Sequence, residues 1–372
     1  HLGLYRTALV RAVGGFRSEF DSAQDYDLVL RLTEQTDRIV HVPDVLYHWR
    51  MLATSTASGV AAKPHAVRAG FRALDDHLRR TGRAGTAGPG PSEGLNLVRF
   101  EVVGRPKVSV IIPSACRPAK VGGRKTSHLE HCVGSIVRGT RYAEYEILVL
   151  DRHDMPPEMQ RRMDGWKVRR VTYDGEFNWS RVNNLGASAA TGTHLLFLND
   201  DVELISTDWL ERMLEYSQQR PIGAVGAKLL FPDGGLQHAG VTVVNGLPGH
   251  PFYGFPGHHP GYFSNNLLVR NCAAVTGACL MTRAEVFREL GGFDESFPLN
   301  YNDVDYCLRL RRHGYRVVFT PHAQLLHYES ATKPGVFRQE LDAFQARWGQ
   351  DLRDPYYNPN LTAETHDYRV GE

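Results

Sequence analysis

At about 150 residues per domain the 372-residue sequence has room for two domains, and 42% apolar with 23% charged residues suits a chain that buries a sizeable core. Forty-three basic against 41 acidic residues leave a formal charge of +2, so nothing electrostatic points to nucleic acid. No apolar run approaches the roughly 18 residues of a membrane span, and five cysteines without a CxxC pair argue against a disulfide framework or a cysteine zinc site.

A reducing cytoplasm is the simplest compartment for such cysteines. The chain opens on His1, and His-Leu-Gly-Leu-Tyr-Arg lacks the basic start and apolar stretch of a signal peptide, so a fragment or processed product is expected.

The first feature in chain order is one half of a repeat. Val13-Gly14-Gly15-Phe16, Gln24-Asp25-Tyr26-Asp27, Arg31-Leu32 and Tyr47-His48 recur as Leu290-Gly291-Gly292-Phe293, Asn302-Asp303-Val304-Asp305, Arg309-Leu310 and Leu326-His327. Spacing is kept as well: Phe16 to Asp25 is nine residues and Phe293 to Asp303 ten, while Asp25 to His48 is 23 and Asp303 to His327 is 24. The first copy reads as the last third of a domain whose earlier part lies before His1.

Residues 61–80 then form an amphipathic helix, and 81–94 (TGRAGTAGPGPSEG) read as a Gly/Pro/Ser-rich linker. A new domain begins near Pro106. From there strand signals at 108–112, 146–150, 168–171, 194–198 and 222–230 alternate with helix signals at 182–190 and 208–219. Such alternation predicts an α/β fold, a mostly parallel sheet with helices on both faces, whose ligands sit at the carboxyl ends of strands.

Chemistry is therefore sought just after each strand. Asn199-Asp200-Asp201-Val202-Glu203 follows the strand at 194–198, and adjacent carboxylates there suit a hard divalent ion completed by phosphate oxygens; a solvated acidic loop is the other reading. Asp303 and Asp305 open the helix at 304–312. Asp305 to Arg309 is an i,i+4 pair, as is Asp27 to Arg31, which assigns Asp305 to structure. Asp303 is left either as a general base or as a helix cap.

His327 follows the strand at 316–319 and its loop, and its counterpart His48 permits either a ligand role or shared packing. Asp151 ends the strand at 146–150, placed to accept hydrogen bonds from a ligand or to cap the next turn. Gly122-Gly123-Arg124-Lys125 lacks phosphate-loop spacing and reads as a flexible loop. The run at 246–262 (GLPGHPFYGFPGHHPGY) is either a mobile loop over an acceptor site or a surface excursion, its four histidines without zinc spacing.

In series, VSVIIPS at 108–114, EILVLD at 146–151, NNLGASAATG at 183–192, FLNDDVE at 197–203, TGACLMTR at 276–283, GGFDE at 291–295 and NDVDYCLRLRRHGY at 302–315 resemble glycosyltransferase family 2, over nearly all of 106–330. The likeness is to bacterial enzymes of cell-surface polysaccharide assembly, rhamnosyltransferase-like proteins included, in which two such domains occur in tandem. It implies a GT-A fold (Rossmann-like), preceded here by a partial copy of the same domain. The implied organisation is a C-terminal remnant of a preceding glycosyltransferase domain over 1–60, helix and linker over 61–105, the complete domain over 106–335 and a C-terminal extension over 336–372.

The same resemblance implies an inverting transfer from a nucleotide-diphosphate sugar to a hydroxyl of a glycan or lipid-linked acceptor, with Mn2+ or Mg2+ as cofactor. Carried over by motif, Pro113, Ser114 and Asp151 line the nucleotide pocket, Asn184 and Asp200 approach the ribose and sugar, Asp201 and His327 bind the metal, and Asp303 is the catalytic base. A cytoplasmic enzyme at the inner face of the cell membrane is expected. This sequence departs from the family pattern in an insertion over 115–128, in Asn199 where an Asp often stands, and in Asn183 where an Arg is frequent. A nucleotidyltransferase, which would want a Gly-rich basic loop after the first strand, and a non-catalytic donor- or partner-binding domain are the competing readings.

Overall fold

The computed structural model describes residues 3–48, 64–92, 94–121, 123–328, 338–349 and 352–371. The chain divides into two units, 1–101 and 102–372.

In the first unit, α1 (Thr7–Ala12), a 3-10 turn (Ser18–Phe20), α2 (Gln24–Thr33) and α3 (Pro64–Arg80) precede the antiparallel hairpin β1 (Gly85–Pro89) and β2 (Asn96–Phe100). Phe20, Leu28, Leu32, Ala69, Ala73, Leu74 and Leu78 are buried. Helices α2 and α3 are also tied by Glu34, which accepts from both Arg80 (2.7 Å) and His77 (2.7 Å). The stretch expected as a linker thus contributes a paired strand: its small residues let β1 lie close to β2, where a Cβ on Gly85 would stand 2.5 Å from the Arg99 carbonyl.

The repeat is visible in atoms. Asp27 binds the Arg31 guanidinium (2.7 Å), and Arg31 donates to the carbonyls of Val13 and Gly15 (2.5 and 2.7 Å). Asp305 and Arg309 do the same to Leu290 and Gly292 (2.8 and 2.7 Å). In both copies the two glycines have positive φ, which lets the turn present its carbonyls to the arginine. The likeness stops at the next segment. Residues 316–327 form a long strand, whereas 39–47 form none, and Ile39, Val40, Val42, Val45, Leu46 and Tyr47 are exposed, as is His48. Among the described residues of the first unit no strand pairs with 39–47 as Val202–Leu204, Ile222–Leu230 and Arg270–Asn271 pair with 316–327. The remainder of the expected 1–60 remnant lies outside the described residues.

The second unit runs β3 (Val108–Pro113), β4 (Pro118–Val121), β5 (Arg124–Ser127), α4 (His128–Gly139), β6 (Tyr145–Asp151), α5 (Pro157–Gly165), β7 (Arg169–Thr172), α6 (Trp179–Ala189), β8 (His194–Leu198), β9 (Val202–Leu204), α7 (Trp209–Ser217) and β10 (Ile222–Leu230). It continues with β11 (Leu236–His238), β12 (Thr242–Val244), β13 (Leu247–Gly249), β14 (Arg270–Asn271), β15 (Cys279–Arg283), α8 (Ala284–Glu289), α9 (Asn302–Arg312), β16 (Arg316–His327) and α10 (Arg338–Trp348).

The central sheet has the order β14-β16-β10-β15-β8-β3-β6-β7, with β15 and β14 antiparallel to their neighbours and the other pairings parallel. Strands β3 and β8 are buried at every position, as strands covered on both faces must be, which is why their sequences are apolar apart from Ser109 and His194. Gly186 lets α6 lie against the sheet, since a Cβ there would meet Ile111 at 2.5 Å. Side-chain caps set two helix starts: Ser127 accepts from the Glu130 amide (3.0 Å) and Asn178 from the Arg181 amide (2.9 Å).

Three stretches take a definite form. Of the 122–125 stretch read as a flexible loop, residues 123–125 belong to the β4–β5 hairpin, with Lys125 paired to Lys120; Gly122 is outside the described residues. The 336–372 extension belongs to the same core, with Phe344, Trp348 and Tyr368 buried in it. The 246–262 run is an excursion held by that tail: Asp367 accepts from the Phe252 amide (2.7 Å), and Tyr368 stacks on Tyr262 (5.2 Å, 5°) and Phe252 (6.0 Å, 12°).

Candidate active site

The parallel strands β3, β6, β8 and β16 end on one edge of the sheet, and Pro113, Ser114, Asp151, Asp200, Asp201 and His327 lie at or just past those ends. Pro113 closes β3, and Ser114 just beyond it donates to Asp200 Oδ2 at 2.5 Å while accepting from the Cys116 amide at 3.0 Å. Burial pushes the Asp200 carboxyl up to about 6, with Asp201 adding to the rise and the Ser114 bond opposing it. Asp151 ends β6 with no exposure, its two oxygens held by Arg170 at 2.6 and 2.8 Å.

Asp201 and His327 meet across the sheet edge, the His327 Nε2 lying 3.0 Å from Asp201 Oδ1. Both are buried, because β9 folds back on the last residues of β16, setting Val202 opposite His327. The other ring nitrogen, Nδ1, faces Gln237 Oε1 at 2.5 Å, and the Asn199 amide nitrogen lies 3.3 Å from Nε2. An imidazole whose Nδ1–H donates to Gln237 turns an unprotonated Nε2 toward the carboxylate. That is the tautomer and donor set, one nitrogen and one oxygen, that Mn2+ or Mg2+ would accept, with remaining positions for phosphate oxygens and water. The residues fit a divalent ion. Glu203 turns instead to His131 and Tyr328.

Asp303 sits at the first turn of α9, half-buried. Its Oδ2 accepts from the Gly277 amide (2.7 Å) and its Oδ1 from the Val304 amide (2.8 Å), so it binds an amide in the first turn of its own helix and is fixed to the turn before β15 at once. The next residue in that turn, Ala278, accepts from the Asn199 amide (3.1 Å), which joins the Asp303 support to the start of the Asn199-Asp200-Asp201 run. Trp179 walls the turn: a Cβ on Gly277 would lie 2.8 Å from its ring and 3.4 Å from the Asp303 Cβ.

Asn184 has a different situation. Its amide donates to the Phe293 carbonyl (2.9 Å) and accepts from the Phe293 amide (2.9 Å), so it holds the 291–295 loop in place. Asp305 is fully buried and bound by Arg309, Arg347 and Trp348, as its structural assignment requires.

Sequence reasoning missed Gln237 and Arg170. Arg170 had a signal: β7 pairs in parallel with β6, placing Thr172 opposite Asp151, and a residue two before Thr172 shares its face. Gln237 had none, since β11 is three residues long and its partner His327 lies 90 residues further along the chain. Among the described residues Cys116, Asp151 and Asp154 also bring ligating atoms within 4.8 Å of one another. Burial pushes that thiol up to about 12 and Arg170 already neutralises Asp151, so the cluster is not suited to a cation.

Residues 106–350 match the family described as glycosyltransferase like family 2. The chain is 40% identical over 387 residues to the uncharacterized protein y4gI of Sinorhizobium fredii (strain NBRC 101917 / NGR234), a match covering 99% of this chain and 42% of that protein. It is 40% identical over 378 residues to the O-antigen biosynthesis protein RfbC of Myxococcus xanthus, covering 99% of this chain and 29% of that protein. The chain therefore spans less than half the length of these curated relatives. Among solved structures it is similar to GalNAc-T7 with UDP, GalNAc and Mn2+, with a TM-score of 0.48 and 17% identity over 62% of this chain and 45% of that one.

Proposed function

We propose that this chain, which belongs to glycosyltransferase family 2, moves a sugar with inversion from a nucleotide-diphosphate sugar to a hydroxyl of a glycan or lipid-linked glycan in cell-surface polysaccharide synthesis. The observation that carries the reading is the Asp201–His327 pair, 3.0 Å apart, with His327 oriented by Gln237 at 2.5 Å. The relative named for O-antigen biosynthesis supports the polysaccharide context.

In this reading Asp201 and His327 hold Mn2+ or Mg2+. A divalent ion there supplies positive charge to the leaving diphosphate, an effect worth several kcal/mol in such chemistry. Asp151, Pro113 and Ser114 form the base-binding side of the pocket, Asp200 lies beside the ribose and sugar, and Asn184 contributes by holding the 291–295 loop. Asp303 takes the proton from the acceptor hydroxyl as its oxygen attacks the anomeric carbon on the face opposite the diphosphate. The Gly277 and Val304 amides aim its carboxylate.

Screening the chain for Mn2+-dependent turnover of a panel of nucleotide sugars tests the proposal. Release of nucleotide diphosphate from at least one of them is expected, and binding of donors without any release or transfer would replace it with a non-catalytic binding role.

A further inference from the structure

The insertion expected over 115–128 contains the β4–β5 hairpin, and it carries Arg117, Lys120, Arg124 and Lys125 with no Asp or Glu from 115 to 127. In a chain whose charges otherwise nearly cancel, such a run is a local positive patch. Register gives it a direction. Lys120 lies directly opposite Lys125, so both side chains leave the same face of the hairpin. Both are exposed, as is Arg117, and among the described residues none of the three has a carboxylate partner.

The opposite face packs inward: Val121 is buried, and the Thr126 hydroxyl donates to Glu130 on α4 at 3.3 Å. Like charges set directly across a hairpin repel one another, and no acid beside Lys120 and Lys125 offsets that cost. The arrangement suits anions brought from outside the chain.

The hairpin also stands at the rim of the candidate site. Before its first strand the Cys116 amide donates to Ser114 Oγ, which in turn donates to Asp200. At its end Ser127 caps α4, where the His128 ring lies 5.7 Å from Tyr328, the residue after His327, and His131 pairs with Glu203 at 2.9 Å. A pocket for one phosphate brings buried donors together on it. Exposed cations on an outer face respond instead to the field of many charges, which an anionic membrane surface supplies.

We infer that the Lys120–Lys125 face of the β4–β5 hairpin, with Arg117, is a contact for anionic lipid headgroups that holds the ligand edge of the sheet at a membrane surface. Its use, presenting the site to a lipid-linked acceptor, rests on the transferase reading above; the contact itself needs no turnover.

Co-sedimentation of the full chain with vesicles tests it. The unaltered protein should bind vesicles of phosphatidylcholine and phosphatidylglycerol in equal parts, bind phosphatidylcholine alone far less, and leave the anionic vesicles as salt is raised. In Lys120→Gln/Lys125→Gln the partition onto anionic vesicles should fall about 25-fold, roughly fivefold for each charge removed, whereas Lys120→Arg/Lys125→Arg should bind as the unaltered protein does. Release of nucleotide from soluble donors without vesicles should be the same in all three. No binding of the unaltered protein to anionic vesicles, or equal binding by the glutamine variant, would overturn the contact. So would a glutamine variant that keeps vesicle binding and loses donor turnover, which would assign the lysines to the donor's phosphates. A chain that binds vesicles as described and hydrolyses no donor would remove the transferase reading and leave the contact standing.

Discussion

Arg309 binds Asp305, one turn before it on α9, at 2.8 Å and extends the same guanidinium to the carbonyls of Leu290 and Gly292. One side chain thus joins the helix that carries Asp303 to the glycine turn before the 293–295 loop, and Asp305 has no exposure to water with which to replace a lost hydrogen bond. Arg309→Lys keeps the charge but loses the fork that reaches both carbonyls. It should lower unfolding stability by about 3 kcal/mol in urea titrations, and a change under about 1 kcal/mol would contradict the clamp.

The same clamp explains how much could be read from sequence. Asp27 and Arg31, Asp305 and Arg309 sit one helical turn apart, a spacing that fixes their contact whatever surrounds them. Strand-end residues were legible for a related reason: continuous apolar runs mark β3, β6 and β8, and the residues just past a parallel strand face the ligand edge. Gln237 was not legible, because its contact with His327 arises where the short β11 pairs with β10 beside the end of β16, between segments distant in sequence. The hairpin β1–β2 was read as linker because glycine and proline are shared by flexible chains and by closely approaching strands.

Gln237 fixes the tautomer of His327 by taking its Nδ1–H. Gln237→Ala should weaken Mn2+ binding by about tenfold in calorimetric titrations of the unliganded protein, the scale usual for loss of a group that orients a metal-binding histidine. Affinity equal to that of the unaltered chain would remove Gln237 from the site.

His194, buried in β8 at 4% exposure, has its pKa lowered to about 4 by burial and then by Arg283. Its unfolded value is near 6.5, so between about pH 6.5 and 4 the unfolded chain binds a proton that the folded chain refuses. The neutral ring costs nothing above pH 6.5, and stability falls as pH drops through this window, by about 3 kcal/mol at its end. Asp200, raised to about 6, contributes in the opposite sense, so the informative quantity is the difference between the unaltered protein and His194→Gln. The pH slope of urea stability between pH 6.5 and 4 should be smaller in the variant; equal slopes would show that His194 takes up its proton in the folded state.

Asp303, held by the Gly277 and Val304 amides at 2.7 and 2.8 Å, is the proposed base of the transfer. Asp303→Asn preserves size and one acceptor oxygen but cannot take a proton. Sugar transfer by this variant, measured beside calorimetric binding of the same nucleotide sugar with Mn2+, should fall by about 10² to 10⁴-fold while donor affinity stays within about twofold. Transfer at near-normal rate with donor binding intact would contradict a base role for Asp303.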